Sequence, residues 1–281
     1  MIKIVTDSAS DIPRDLVHEF GIITVPTHII WGDEQYIDGV TMTAEELYAR
    51  LPQDPIVPTS SQPTVSQFLA AFDQAVAEGA VHIISISVGA GFSGTFQSAK
   101  LAAENYKVPI SLVDSRAVSL EEGWQVLAAA RAVQSGETLP QVLRIIESVR
   151  QHVNLIVGME SLTYVARSGR LGAAFKWIGN LITVRPIVSV NAETCKIEPV
   201  SVVRTRTAMI EKVFQYFKQR MQGKTKLHVA VIHGNALDTA KKLADRLREE
   251  LKPVELLITS TGPVLGIHTG PGTVAISGYF E

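Results

Sequence analysis

Two stretches of this chain, Ile2–Val5 and Val81–Val88, are rich in Ile and Val over most of their length, and Pro109–Val113 repeats the pattern. Strands of a parallel sheet read this way, because helices cover both faces and leave no solvent-facing register for polar residues. The segments between them open with legible helix starts. Thr43-Ala-Glu-Glu46, Thr64-Val-Ser-Gln67, Ser119-Leu-Glu-Glu122 and Thr138-Leu-Pro-Gln141 each carry the hydroxyl and the carboxyl or amide of a capping box. Phe68, Phe72, Ala75 and Val76 then form one apolar stripe, and Val142, Ile145, Ile146 and Val149 another. This alternation predicts an α/β/α domain of three layers, with a parallel sheet, over residues 1–152.

Residues 153–281 read differently. Leu155–Gly158, Ile187–Val190, Glu198–Val203, Leu227–His233, Val254–Ile258 and Thr273–Ser277 are candidate strands. Only two long helical patterns separate them, one carrying Met209, Ile210, Val213, Phe214 and Phe217, the other Leu243, Leu247 and Leu251. Fewer helices than strands predicts a second α/β domain of two layers, a mixed sheet covered on one face. A chain of 281 residues is long enough to give both domains a core.

Composition narrows the function. The chain is 46% hydrophobic and 19% charged, the balance of an ordered globular protein. A net charge of −2 argues against nucleic-acid or membrane-surface binding, which calls for an excess of Lys and Arg. The single cysteine, Cys195, excludes an internal disulfide and a Cys-based zinc site. The N-terminus runs straight into a strand without the anatomy of a signal peptide, and no apolar stretch approaches a membrane span. The expectation is a cytoplasmic protein.

Three loops could carry chemistry. The segment from Thr261 to Gly272 sets His268 among glycines and prolines between two strands, and reads either as a stiff loop that holds its imidazole for chemistry or as a turn whose His fills a surface notch. Gly89-Ala-Gly-Phe-Ser93-Gly-Thr95-Phe-Gln-Ser98 runs from a strand into a helix, so free amides and the Ser93 and Thr95 hydroxyls face an anion there. Plain capping of that helix by Ser93 is the competing reading. Pro58-Thr-Ser60-Ser61-Gln62-Pro63 offers further hydroxyls, which fit either a carboxylate or phosphate site or an ordinary turn.

Other chemistries find less support. Neither the dinucleotide-binding spacing nor the P-loop Lys is present, and Ser93 lacks the Gly-x-Ser-x-Gly elbow of a serine nucleophile. His228 and His233 fall on opposite faces of one strand, which does not suit a shared metal. Asp7, Asp11 and Asp114 stand near strand ends, where they fit magnesium ligands and strand-to-helix caps equally. Between Ser161 and Thr207, seven basic residues (Arg167, Arg170, Lys176, Arg185, Lys196, Arg204 and Arg206) face only Glu193 and Glu198. Such runs are most often solvated surface, whereas a positive rim would favour an anionic ligand or a phosphate-bearing partner.

Taken together, these segments resemble the DegV family of bacterial fatty-acid-binding proteins. The resemblance runs from end to end: Val5-Thr-Asp-Ser8 with Asp11-Ile-Pro13, Val25-Pro26, Tyr36-Ile-Asp-Gly39, and the Ser60-Ser-Gln-Pro63 and Ser93–Ser98 loops. It continues through Leu162-Thr-Tyr164 to Gly169-Arg-Leu171, Arg185-Pro-Ile187, Val203-Arg-Thr205, and Gly262-Pro-Val to Gly272.

The resemblance implies a long-chain fatty acid enclosed between the two domains. Its carboxylate would lie at Ser60, Ser93, Gly94 and His268. Arg204 would face the surface where a separate kinase subunit docks and uses ATP to convert the acid to an acyl-phosphate for lipid synthesis. On this reading the chain is a substrate-presenting lipid-binding protein without catalytic residues, metal or cofactor of its own. Departures exist: Ser60 stands where the family usually has Thr, Gly89-Ala90 where it shows serines, and Leu120-Glu-Glu122 where it prefers small residues. Two alternatives remain. One is the substrate subunit of a small-carbonyl (dihydroxyacetone-like) kinase, the other a lipid-binding regulator with no kinase.

Overall fold

The computed structural model describes residues 1–167 and 184–281. Gly169-Arg-Leu171, with Arg170 and Lys176 of the basic run, lies outside the described residues. The first half runs β1 (Ile2–Asp7), α1 (Arg14–Glu19), β2 (Ile23–Val25), β3 (His28–Trp31), β4 (Glu34–Ile37), α2 (Ala44–Arg50) and β5 (Thr59–Ser61). It continues through α3 (Val65–Ala77), β6 (His82–Ser87), α4 (Thr95–Ala103), β7 (Ile110–Asp114), α5 (Leu120–Gln134) and α6 (Leu139–His152). The second half runs β8 (Asn154–Gly158), α7 (Thr163–Arg167), β9 (Arg185–Asn191), β10 (Lys196–Val203) and α8 (Arg206–Arg220). β11 (Leu227–His233), α9 (Leu237–Leu251), β12 (Glu255–Ser260), α10 (Pro263–Thr269) and β13 (Val274–Phe280) complete it.

Strands β2-β1-β6-β7 form a wholly parallel sheet. Helices α3 and α4 bury Phe68, Phe72, Ala75, Ala99 and Ala102 on one face of it, and α5 and α6 cover the other. The capping boxes at Thr43, Thr64 and Thr138 form as their sequences require.

Ser119 does not cap. It adopts φ 59° and ψ −150°, a strained backbone for a residue with a side chain, and its hydroxyl donates to Asp11 instead. The reason lies in where α5 sits. It is buried almost all round, so Glu121 and Glu122 point into the protein rather than back to an exposed helix start. Burial pushes both carboxyls well above their usual range, and Glu122 accepts from the Thr6 hydroxyl at 3.1 Å.

The second sheet has the order β10-β9-β8-β13-β11-β12 and is mixed: β11 and β12 are parallel and the other pairs antiparallel. Its own helices, α8 and α9, cover one face through Ile156, Val229, Val231, Val274 and Ile276. The neighbouring residues of opposite parity, Leu155, Ala230, Ile232 and Ala275, join the core formed with α5 and α6. The face expected to be uncovered is therefore the junction between the two sheets.

Two local readings also change. Residues 28–61 hold a small antiparallel sheet, β4-β3-β5, so Ser60 sits on a strand paired with Ile29 rather than in a loop. The stiff loop around His268 is in fact helix α10, with Pro263 at its first turn, where the missing N–H costs nothing.

Candidate functional site

A cavity of about 760 Å³ opens between the two sheets. The β5–α3 and β6–α4 segments, strands β8, β9, β11 and β13, and α10 contribute to its lining. Leu155, Val157, Val188, Val190, Ile232 and Ala275 make its apolar wall. These are the residues of β8, β9, β11 and β13 that face away from α8 and α9, so strand alternation alone supplies the lining. None of the described residues on the wall is Asp, Glu, Lys or Arg.

Ser60, Ser93, Gly94 and His268 all line this cavity, although up to 208 positions separate them in sequence. Ser60 Oγ and His268 Nε2 lie 3.0 Å apart, a direct hydrogen bond. Ser93 Oγ is 2.8 Å from Thr95 Oγ1 and accepts from the Thr95 amide at 3.2 Å. Ser93 stands one residue before the N-cap of α4, so its hydroxyl meets the first amide of the helix while the residue also lines the cavity. Gly94 is the N-cap of α4, with φ −75° and ψ 6°.

Arg204 is not on the cavity wall; its side chain is exposed. Arg185 Nη1 donates to the Arg204 carbonyl at 2.7 Å, and both Arg185 and Arg206 pair with Glu160. Glu160 lies just before the counted stretch, so two of its seven cations share one carboxylate that a linear count left out, and the excess falls by one charge.

Buried carboxylates hold α10 in place. Asp11 Oδ1 accepts from Gly262 N at 2.7 Å and Asp38 Oδ1 from Val264 N at 3.1 Å, satisfying amides at the start of the helix. Asp11 also takes the Ser119 hydroxyl at 2.6 Å, while Asp38 takes that of Thr27 at 3.2 Å. Burial pushes Asp11 up to about 7 against the Ser119 and Gly262 hydrogen bonds, and raises Asp38 in the same way. Asp7 accepts from Val88 N at 2.8 Å and Ala9 N at 3.0 Å, and burial pushes it up to about 6. Asp114 accepts from Ala90 N at 3.1 Å, which steadies the glycine-rich loop. Asp7, Asp11 and Asp114 thus anchor backbone.

Two contacts were invisible in the sequence. Gln62 bridges the hydroxyl loops: its Nε2 donates to Ser98 Oγ at 3.2 Å, and its amide lies where a side chain on Gly94 would go. Cys195, at the tip of the β9–β10 hairpin, meets Gly91 of the glycine-rich loop so closely that a Cβ there would fall 2.8 Å from the Cys195 carbonyl oxygen. The tip of the hairpin therefore rests on the β6–α4 loop. Neither contact has a signal in local pattern, since both depend on residues brought together from distant elements.

Known proteins resemble this chain along its whole length. A family model described as an uncharacterised protein of the DegV family matches residues 1–281. A DegV domain-containing protein of Halalkalibacterium halodurans is 32% identical over 281 residues, covering 100% of this chain and 99% of that one. Among solved structures, a DegV family protein from Thermus thermophilus, described by its fatty acid binding, superposes with a TM-score of 0.92. It is 29% identical and aligns over 100% of this chain and 99% of its own. DegV of Bacillus subtilis, described as a fatty acid binding protein, gives 0.90 at 27% identity, again over 100% and 99%. No helix among the described residues is long and apolar enough to cross a membrane.

Proposed function

Because the chain belongs to the DegV family, we propose that it binds one long-chain fatty acid in the cavity between its sheets and presents the carboxylate to a separate, ATP-dependent kinase subunit. The observation that carries this reading is the Ser60–His268 pair on the wall of a cavity of about 760 Å³ that has a broad apolar lining and no charged side chain among the described residues. That volume falls within the range of small-molecule sites. Each methylene removed from water contributes about 0.8 kcal/mol, so the walls supply most of the affinity. The relatives from Thermus thermophilus and Bacillus subtilis, described as fatty-acid binding, support the ligand class.

In this reading Ser60, Ser93, the Gly94 amide and His268 hold the carboxylate. Hydroxyl and amide donors offset the cost of bringing a charged group out of water. They leave one carboxylate oxygen with the electron density to attack a phosphorus atom, which a tight ion pair would withdraw. The partner then supplies ATP, and the acid becomes an acyl-phosphate. Arg204, exposed and off the cavity wall, faces that partner or its phosphates. Residues 1–152 and 153–281 act as the two halves that enclose the ligand. A small carbonyl substrate would leave most of this apolar volume unused.

The test is denaturing extraction of freshly purified protein followed by mass spectrometry. A fatty acid at near one equivalent is the expected result. An empty chain that also refuses added oleate and palmitate refutes the reading. Capture of a kinase subunit that phosphorylates the bound acid tests presentation separately, and fatty-acid binding without such a partner leaves the chain a lipid-binding regulator.

A further inference from the structure

His268 lines a second cavity as well as the first. This cavity, about 500 Å³, lies between the loop from Leu51 to Thr59, the start of α7, and α10. Among the described residues, its polar groups are those of Thr59, Ser161, Thr163, Tyr164, Arg167 and His268, together with one carboxylate, Asp54. The carboxylate is already engaged: Asp54 accepts from Arg50 Nε at 2.8 Å and from Ile56 N at 2.8 Å. Glu160, adjacent in sequence, is held between Arg185 and Arg206. Arg167 is exposed.

The hydroxyls also have capacity to spare. Ser161 Oγ accepts from Thr163 N at 3.0 Å and shares one hydrogen bond with Thr163 Oγ1 at 2.6 Å. One of the two hydroxyl protons is therefore left to point elsewhere. The two cavities differ in kind on either side of one imidazole. The first has no charged side chain among the described residues on its wall and suits a carboxylate held by neutral donors. The second carries a guanidinium and suits a group of higher negative charge, for which the planar Arg fork is the matching donor.

We propose that the second cavity is a phosphoryl subsite, holding the phosphoryl group of an acyl phosphate whose acyl chain fills the first, with Arg167 and the Ser161–Thr163 pair as its donors. This rests on the fatty-acid reading of the first cavity and extends it. In the step it serves, a carboxylate oxygen attacks the terminal phosphorus of a nucleoside triphosphate carried by the partner. The new oxygen–phosphorus bond forms as the bond from that phosphorus to its bridging oxygen breaks. The nucleoside diphosphate leaves with the electron pair, and the carboxylate neither gains nor loses a proton. The product differs from the substrate by the group that the second cavity accommodates, so His268 stands at the junction of the acyl and phosphoryl halves.

The experiment titrates the full chain, stripped of lipid, with palmitate and with hexadecylphosphonate, a non-hydrolysable probe with a similar tail. Arg167→Gln is expected to lower phosphonate affinity about tenfold relative to palmitate, the loss of one charge-assisted hydrogen bond. Thr163→Val should move the same ratio in the same direction. Added salt should weaken the phosphonate more than palmitate in the wild type, and this difference should shrink in Arg167→Gln. A wild-type chain that binds palmitate and refuses the phosphonate overturns the subsite. So does a ratio that neither substitution changes, or an equal loss of both ligands in Arg167→Gln. A wild-type chain that takes up neither ligand overturns the fatty-acid reading beneath it.

Discussion

Gly94→Ala tests whether the two hydroxyl loops are joined as described. The backbone at Gly94, φ −75° and ψ 6°, is open to any residue, so no conformational strain is expected. The obstacle is Gln62, whose Cδ and Nε2 would each lie 2.7 Å from the new methyl. The amide is the far end of a flexible side chain and will swing aside, breaking its 3.2 Å bond to the buried Ser98 hydroxyl. Losing that bond and leaving Ser98 unpaired costs about 1–3 kcal/mol. The lower unfolded-state entropy of Ala offsets about 0.4–1 kcal/mol of it. In a Gln62→Ala background the methyl has room, only the entropic gain remains, and Gly94→Ala becomes mildly stabilising. Urea unfolding of the wild type, both single variants and the double variant should therefore give a coupling energy of about 2 kcal/mol. A coupling below about 0.5 kcal/mol, the level of unconnected sites, would refute the steric account.

Ser93→Ala should weaken fatty-acid binding by roughly 1.5–3 kcal/mol, the worth of a hydrogen bond to a charged group, and an unchanged titration removes Ser93 from the carboxylate site. Arg204→Ala should leave the acid bound nearly as before while impairing its phosphorylation by the partner; equal loss of both would put Arg204 in the binding site. Stability should fall as pH rises through the values of the buried acids. Asp7 and Asp11 hold protons up to about 6 and about 7 in the folded chain, whereas the unfolded chain releases them near about 4. In that window the folded state binds more protons, so the slope of unfolding free energy against pH is negative. Urea unfolding without ligand from about pH 5 to about pH 8 should show the decline, and a flat or rising profile contradicts it.

The architecture was largely legible because it rests on local patterns. Ile and Val runs such as His82–Ser87 can only be central strands, and Thr43, Thr64 and Thr138 find their cap partners within three residues. Leu227–His233 was placed to the residue, since both of its faces are buried against apolar neighbours. Local pattern failed where burial overrode it. Ser119 and Glu122 have the spelling of a capping box, yet α5 lies between two sheets and turns both side chains inward. The glycines and prolines around His268 spell a loop, yet Asp11 and Asp38 satisfy the amides at Gly262 and Val264, and a short helix forms.

The candidate site divides in the same way. From the sequence came its chemistry: hydroxyls at Ser60 and Ser93, an open backbone at Gly94, an imidazole at His268, and a net charge that argues against nucleic-acid binding. From tertiary structure alone came the meeting of those groups around one cavity, the 3.0 Å bond between Ser60 and His268, and the exclusion of Arg204 from the wall. The physical reason is range. A helix cap or a strand is set by neighbours a few residues away, whereas a cavity is what remains when two sheets, each folded by its own periodicity, close on a shared helix.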